Sequence, residues 1–250
     1  MTDETPKKKN EARSTRPSSE EFKEFIASGW ADPSDVATTL TAAAPYAADR
    51  RARLSEKFSG VRIVAPAGDL KVRANDTDYR FRPLSDFAYL TGLGADYEPG
   101  AVLVMEPRAK GGHEATLYVI PPAGRDDEGF YADPRSGEFW IGRRPGLAEF
   151  AAMTGIATKP LSDLPAGIRM HAQPTKPVQR VLSEMRMVKD DYEIQQLRDA
   201  VDATIAGFER VAREIPRAIE HKRGERVVEA TFDGHAREEG NAVGYETIAA

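Results

Sequence analysis

Apolar positions along this chain change their period twice. Residues 1–19 carry few of them and no period, and are expected to form a disordered tail. Phe22 and Phe25 then stand three apart, behind a cap at Ser18 or Ser19 and ahead of Gly29, which predicts a short helix. A second helix is predicted from near Ala44 to Phe58, closed by Gly60, with Arg50, Arg51 and Arg53 on its outer side. After it the pattern shortens. Val61-Arg62-Ile63-Val64-Ala65, Ala101-Val102-Leu103-Val104-Met105 and Ala115-Thr116-Leu117-Tyr118-Val119-Ile120 are β-branched runs that read as strands. Pro66-Ala67-Gly68-Asp69, Glu98-Pro99-Gly100 and Lys110-Gly111-Gly112 supply the turns. A helix over Pro145 to Met153, with proline in its first turn, completes one mixed, layered α/β domain over residues 20–164.

Leu164-Pro165-Ala166-Gly167 and Gln173-Pro174-Thr175-Lys176-Pro177 bracket a proline-rich stretch, so residues 165–180 are expected to be a linker. A second unit over 181–250 is read as mainly helical. Ile194, Leu197, Val201, Ile205, Phe208 and Val211 recur at spacings of three and four, one stripe on a helix from about Asp190 to Glu214 that Pro216 ends. A further helix from Glu225 to about Glu239 places Val228, Phe232 and Ala236 inward, and Val243 to Ala249 begins as a strand.

Composition narrows the function classes. A formal charge of −5 over 250 residues does not mark a nucleic-acid or anionic-membrane binder. Lys7-Lys8-Lys9 reads as a solvated tail rather than an electrostatic anchor. With no cysteine, disulfides and thiolate metal sites are excluded. No apolar stretch approaches the roughly 18 residues of a membrane span, and residues 1–20 hold no signal-peptide core. A cytoplasmic location is expected.

Candidate chemistry is sparse. His113, His171, His221 and His235 show no i, i+4 pairing on one helix, and surface or loop roles are expected for each. Asp126-Asp127-Glu128 reads as a solvated turn, Ser85-Asp86 has no companion histidine, and Gly92-Leu93-Gly94 is not a phosphate loop. The run over residues 75–92 is more informative. Tyr79, Phe81, Phe87 and Tyr89 are all odd-numbered and can share a face of an extended segment. They make either domain core, edged by Arg80 and Arg82, or the lining of an intersubunit groove; the residues favour core. Trp140 is either an interior anchor or an exposed platform.

The same run, Asn75-Asp76-Thr77-Asp78-Tyr79-Arg80-Phe81-Arg82-Pro83-Leu84-Ser85-Asp86-Phe87-Ala88-Tyr89-Leu90-Thr91-Gly92, resembles the "NDxxYxFRxxSDFxYLTG" mark of Xaa-Pro aminopeptidases (aminopeptidase P). Glu98-Pro99-Gly100-Ala101-Val102-Leu103-Val104 resembles a strand of these enzymes, and Trp140-Ile141-Gly142-Arg143-Arg144 their "WxGxR" element. Residues 184–194 are similar to the "RxxKxxxEI" opening of their catalytic domain, and residues 240–249 to its "G…Y.TIvA" strand. The likeness runs in order from about Phe22 to Ala250.

The resemblance implies a creatinase-like amino-terminal domain, a mixed sheet with flanking helices, followed by an incomplete pita-bread (α+β) domain. It implies removal of the N-terminal residue from peptides with proline in second position. In such enzymes two metal ions, commonly manganese, activate a bridging water. Their ligands, two aspartates, a histidine and two glutamates, follow the "Y.TIvA" strand; none has a matching position here, so no catalytic or metal residue is assigned. Homo-oligomers are implied, with Asp76 meeting a substrate amine or an arginine and Trp140 walling the pocket. The leading expectation is therefore a carboxy-terminally truncated Xaa-Pro metalloaminopeptidase, inactive by itself, with residues 189–250 loosely held. A non-catalytic oligomerisation or binding module and an Xaa-Pro dipeptidase (prolidase) fragment are the alternatives.

Overall fold

In a computed structural model, residues 19–30, 39–97, 99–168, 174–240 and 242–249 are described. Most of the expected tail, Lys7-Lys8-Lys9, Ser18, Glu98, His171, Gln173 and Ala250 lie outside them. In chain order the elements are helices α1 (Glu20–Ala27) and α2 (Ala44–Lys57), strands β1 (Ile63–Pro66), β2 (Val72–Ala74) and β3 (Thr77–Asp78), and helix α3 (Ser85–Thr91). Strands β4 (Val102–Pro107) and β5 (His113–Val119) follow, then α4 (Gly129–Ala132), α5 (Glu138–Ile141), α6 (Leu147–Thr154) and β6 (Ala157–Pro160). Helices α7 (Lys176–Met185), α8 (Asp191–Glu220) and α9 (Gly224–Glu239) complete the order.

The main sheet has the order β1-β4-β5-β6. Neighbours β1, β4 and β5 are antiparallel, with Ala65 opposite Leu103 and Leu103 opposite Leu117. The last pair, β5 with β6, is parallel, because α4 to α6 form the crossover that a parallel neighbour requires. Successive side chains of β4 serve opposite faces. Leu103 and Met105 join Leu54, Phe87, Leu90 and Phe150 in the larger core, while Val102 and Val104 pack with Tyr118, Leu161 and Leu164 on the other side. Burying each such side chain stabilises the sheet by about 1.5–3 kcal/mol.

The strands and the first helices match their expected places, and Ser19 caps α1 by accepting from the Phe22 amide at 3.2 Å. The proline-rich stretch contains a helix the sequence did not announce. In α7, Pro177 occupies the first turn, where no amide donor is needed, and Val178, Leu182 and Met185 enter the same core as the sheet. Gly92 ends α3 with φ 75°, and a Cβ there would stand 2.8 Å from the Ala43 Cβ, so α2 and α3 meet only because this residue is glycine.

Several expectations need correction. Arg50 and Arg51 are buried, not outward; only Arg53 of the three faces solvent. The odd-numbered aromatics do not share an extended face: Phe87 and Tyr89 lie buried on α3, Phe81 packs partly on the core, and Tyr79 is exposed. Helix α8 continues through Pro216 to Glu220. Just beyond the proline, Ala218 packs so closely on the start of α9 that a Cβ on Gly224 would lie 2.4 Å from the Ala218 oxygen. Likewise α9 is turned by one residue: Val227 and His235 are buried, while Val228, Phe232 and Ala236 are half-buried. His235 is thus a core residue, its Nε2 donating to the Ala203 carbonyl at 2.7 Å. Residues 242–249 form no strand, since no partner strand stands beside them among the described residues.

Candidate functional site

A cleft of about 1110 Å³ opens between residues 78–83, the loop after α3, and residues 242–244. Its lining carries seven arginines against three carboxylates, in a chain whose formal charge is −5. The positive field is therefore concentrated at one place. Arg135 pairs with Asp69, and Arg186 with Asp86. Arg144 donates to the Asp96 carbonyl at 2.7 Å. Arg80 and Arg82, exposed in the stretch after β3, have no carboxylate within ion-pair distance among the described residues. They are the cations of the cleft left open to a ligand.

The floor is set by Arg50. From α2 its Nε and Nη2 donate to Asp190 Oδ2 at 2.9 and 2.6 Å, Nη1 reaches the Tyr89 carbonyl at 3.2 Å, and Glu193 lies 3.5 Å away. Its guanidinium also stacks 4.4 Å from the centre of the Tyr89 ring. Asp190 and Glu193 are the capping box of α8, each accepting from the other's amide. One buried cation thus ties α2, the end of α3 and the start of α8 together. Burial pushes the Tyr89 hydroxyl above its ordinary range, and the Arg50 charge opposes that shift.

The two residues singled out by resemblance fall beside this cleft. Asp76 lies at the exposed turn between β2 and β3, following Asn75 at φ 53°. Trp140 sits on α5 with 58% of its surface exposed, its Nε1 donating to the Tyr131 carbonyl at 2.8 Å and its ring 5.4 Å from that of Phe139. Trp140 is thus exposed, not an interior anchor. Their neighbours Asp78, Tyr79, Ile141 and Arg144 line the cleft, whereas Asp76 and Trp140 themselves stand outside its lining. The arginines were missed as a group because they are drawn from positions 50 to 237, and only a fold brings them together.

One cluster among the described residues has metal-ligand chemistry. His235, Glu238 and Glu239 place candidate ligand atoms within 4.8 Å of one another. It does not fit a two-ion peptidase centre. The His235 Nε2 proton is committed to a carbonyl, Arg210 stands 3.3 Å from Nδ1, and the same arginine pairs with Glu238. A resident guanidinium already neutralises the site, so no chemical step is routed through a metal here.

A family profile described as the amino-terminal domain of aminopeptidase P matches residues 47–179. Xaa-Pro aminopeptidase 1 of Streptomyces coelicolor is 41% identical over 255 residues, covering 93% of this chain and 50% of that protein. Xaa-Pro aminopeptidase 2 of the same organism is 39% identical, with 93% and 53% covered. The chain spans about half the length of the curated relatives it matches. Among solved structures, the low-pH form of aminopeptidase P from E. coli superposes with a TM-score of 0.58 at 20% identity, over 83% of this chain and 51% of that one. Proline aminopeptidase P II from Yersinia pestis gives 0.56 at 20% identity, over 78% and 50%. The fold is that of these structures, and by the profile spanning more than half its length the chain belongs to the aminopeptidase P family.

Proposed function

We propose that this chain is the substrate-facing part of an Xaa-Pro aminopeptidase, a hydrolase that removes the residue preceding a proline in second position. The observation that carries this is the 41% identity to Xaa-Pro aminopeptidase 1 in an alignment that covers 93% of the chain. The division expected from the sequence, an amino-terminal domain over 20–164, a connection over 165–180 and the start of the catalytic domain over 181–250, enters the proposal with its boundary moved past α7, whose Leu182 and Met185 share the core of the sheet. The catalytic metals, two manganese ions in this reading, are held by residues other than those described here. A metal is consistent with the family, since a solved structure is that of zinc-substituted E. coli aminopeptidase P with product. A homo-oligomer and a cytoplasmic location complete the proposal, the exposed Trp140 platform being the surface offered to a neighbouring subunit's peptide.

In this reading the arginine cleft and Trp140 bind and orient the peptide rather than break it. The test joins this chain to the carboxy-terminal half of the Streptomyces relative and measures hydrolysis of an Xaa-Pro-Xaa tripeptide. Trp140→Ala is expected to raise KM about tenfold, as loss of one aromatic wall does. An unchanged KM and kcat would remove Trp140 from the groove.

A further inference from the structure

A second depression, separate from the arginine cleft and sharing no lining residue with it, lies between α2 and the β4–β5 hairpin; it measures about 610 Å³. Arg51 forms part of its wall. This arginine is 9% exposed, yet among the described residues it has no carboxylate partner. Its Nη1 donates to the Leu90 carbonyl at 2.7 Å, which meets the negative end of α3. A guanidinium has five N–H donors, and the Leu90 carbonyl takes one donor of an arginine that also lines the groove. Its neighbour shows what is missing, for Arg50, equally buried, has Asp190 and Glu193. Burial alone pulls the Arg51 guanidinium down to about 10, as a desolvated cation without a counter-charge requires.

The rest of the wall suits a small ligand. One turn beyond Arg51, the Ser55 hydroxyl lies 2.6 Å from His113 Nδ1, and His113 Nε2 lies 2.8 Å from the Val61 carbonyl. A carbonyl only accepts, so Nε2 bears the proton in the neutral ring and Nδ1 accepts from Ser55. This pair braces α2 against the hairpin and keeps the groove's shape. Ala52, Met105 and Ala115 give apolar wall, Ser59 offers a hydroxyl at the mouth, and the exposed Glu56 carboxylate at the rim repels a polyanion.

We infer that this groove binds a small oxyanion, a carboxylate or a phosphate with at most a short apolar portion, on the Arg51 guanidinium. The test follows the thermal midpoint of the full chain in inorganic phosphate, and separately in butyrate, each against sodium chloride at matched ionic strength. A rise of about 3 °C over chloride is expected at saturation. A rise with phosphate alone identifies the phosphate class, and one with butyrate alone the carboxylate class. Ala52→Phe fills the groove from an exposed position without touching Arg51 and abolishes the rise, as does Arg51→Met if it folds. Equal midpoints in all three salts, or a rise that survives Ala52→Phe, would overturn the assignment.

Discussion

Replacing Arg50 by glutamine leaves Asp190 and Glu193 facing a buried position with no cation between them. Breaking a buried pair from one side costs about 3 kcal/mol, far more than an exposed pair. Urea unfolding should show that loss; a change below about 1 kcal/mol would mean that the network does not hold α8 to the domain. Glu149 makes a milder contribution with a pH signature. Its hydrogen bonds from Arg143 and the Gly146 amide hold its carboxyl below the ordinary 4.5. A depressed native pKa stabilises the fold above the unfolded value, and that stability is lost as pH falls through the native one. Glu149→Gln should therefore lower the thermal midpoint at pH 7, with the gap closing as pH falls below the ordinary carboxylate range. A gap independent of pH would contradict this. Neither arginine–carboxylate network was legible in the sequence. Periodicity scores Arg50 and Arg51 as polar and turns them outward, whereas the partner that brings Arg50 inside is 140 positions away.

Along α8 the apolar stripe lies on one helix, as its spacing predicts. Ile194, Leu197, Val201, Ile205 and Phe208 remain exposed, with Phe208 at 63%, because α9 covers only the face bearing Gly207 and Ala218. An apolar stripe this long on one helix marks a surface that packs against something further. Replacing Leu197, Val201 and Ile205 together by serine should reduce binding of a hydrophobic surface dye severalfold and reduce aggregation. The thermal midpoint should stay within about 2 °C, since exposed apolar groups contribute little to the fold. A large midpoint loss would show that the stripe is packed in solution. The element ends were less legible than the elements. Pro216 is a helix breaker by local rule, yet α8 runs past it to Glu220, where Ala218 packs on the start of α9. Residues 243–249 alternate as a strand does, but a strand exists only beside a partner. The helix α7 was hidden because Pro174 and Pro177 read as linker, while Val178, Leu182 and Met185 declare themselves only against the core.

At the scale of the whole molecule, the mixed α/β architecture and the family were legible from motifs that recur in order, from the run over 75–92 to the segment before Ala250. The candidate site was less so. Asp76 and Trp140 were marked by resemblance, but the cleft beside them is made of arginines scattered through the chain, each unremarkable in its own segment. In the proposed function this chain handles the peptide, and bond breaking falls to metals that its described residues do not fit. The most direct test is turnover of an Xaa-Pro-Xaa peptide with added manganese, by the chain alone and by the chain joined to the carboxy-terminal half of Streptomyces Xaa-Pro aminopeptidase 1. No turnover is expected from the chain alone, and release of the first residue is expected from the joined protein. Turnover by the chain alone would contradict this, by requiring a metal centre among residues read here as structural.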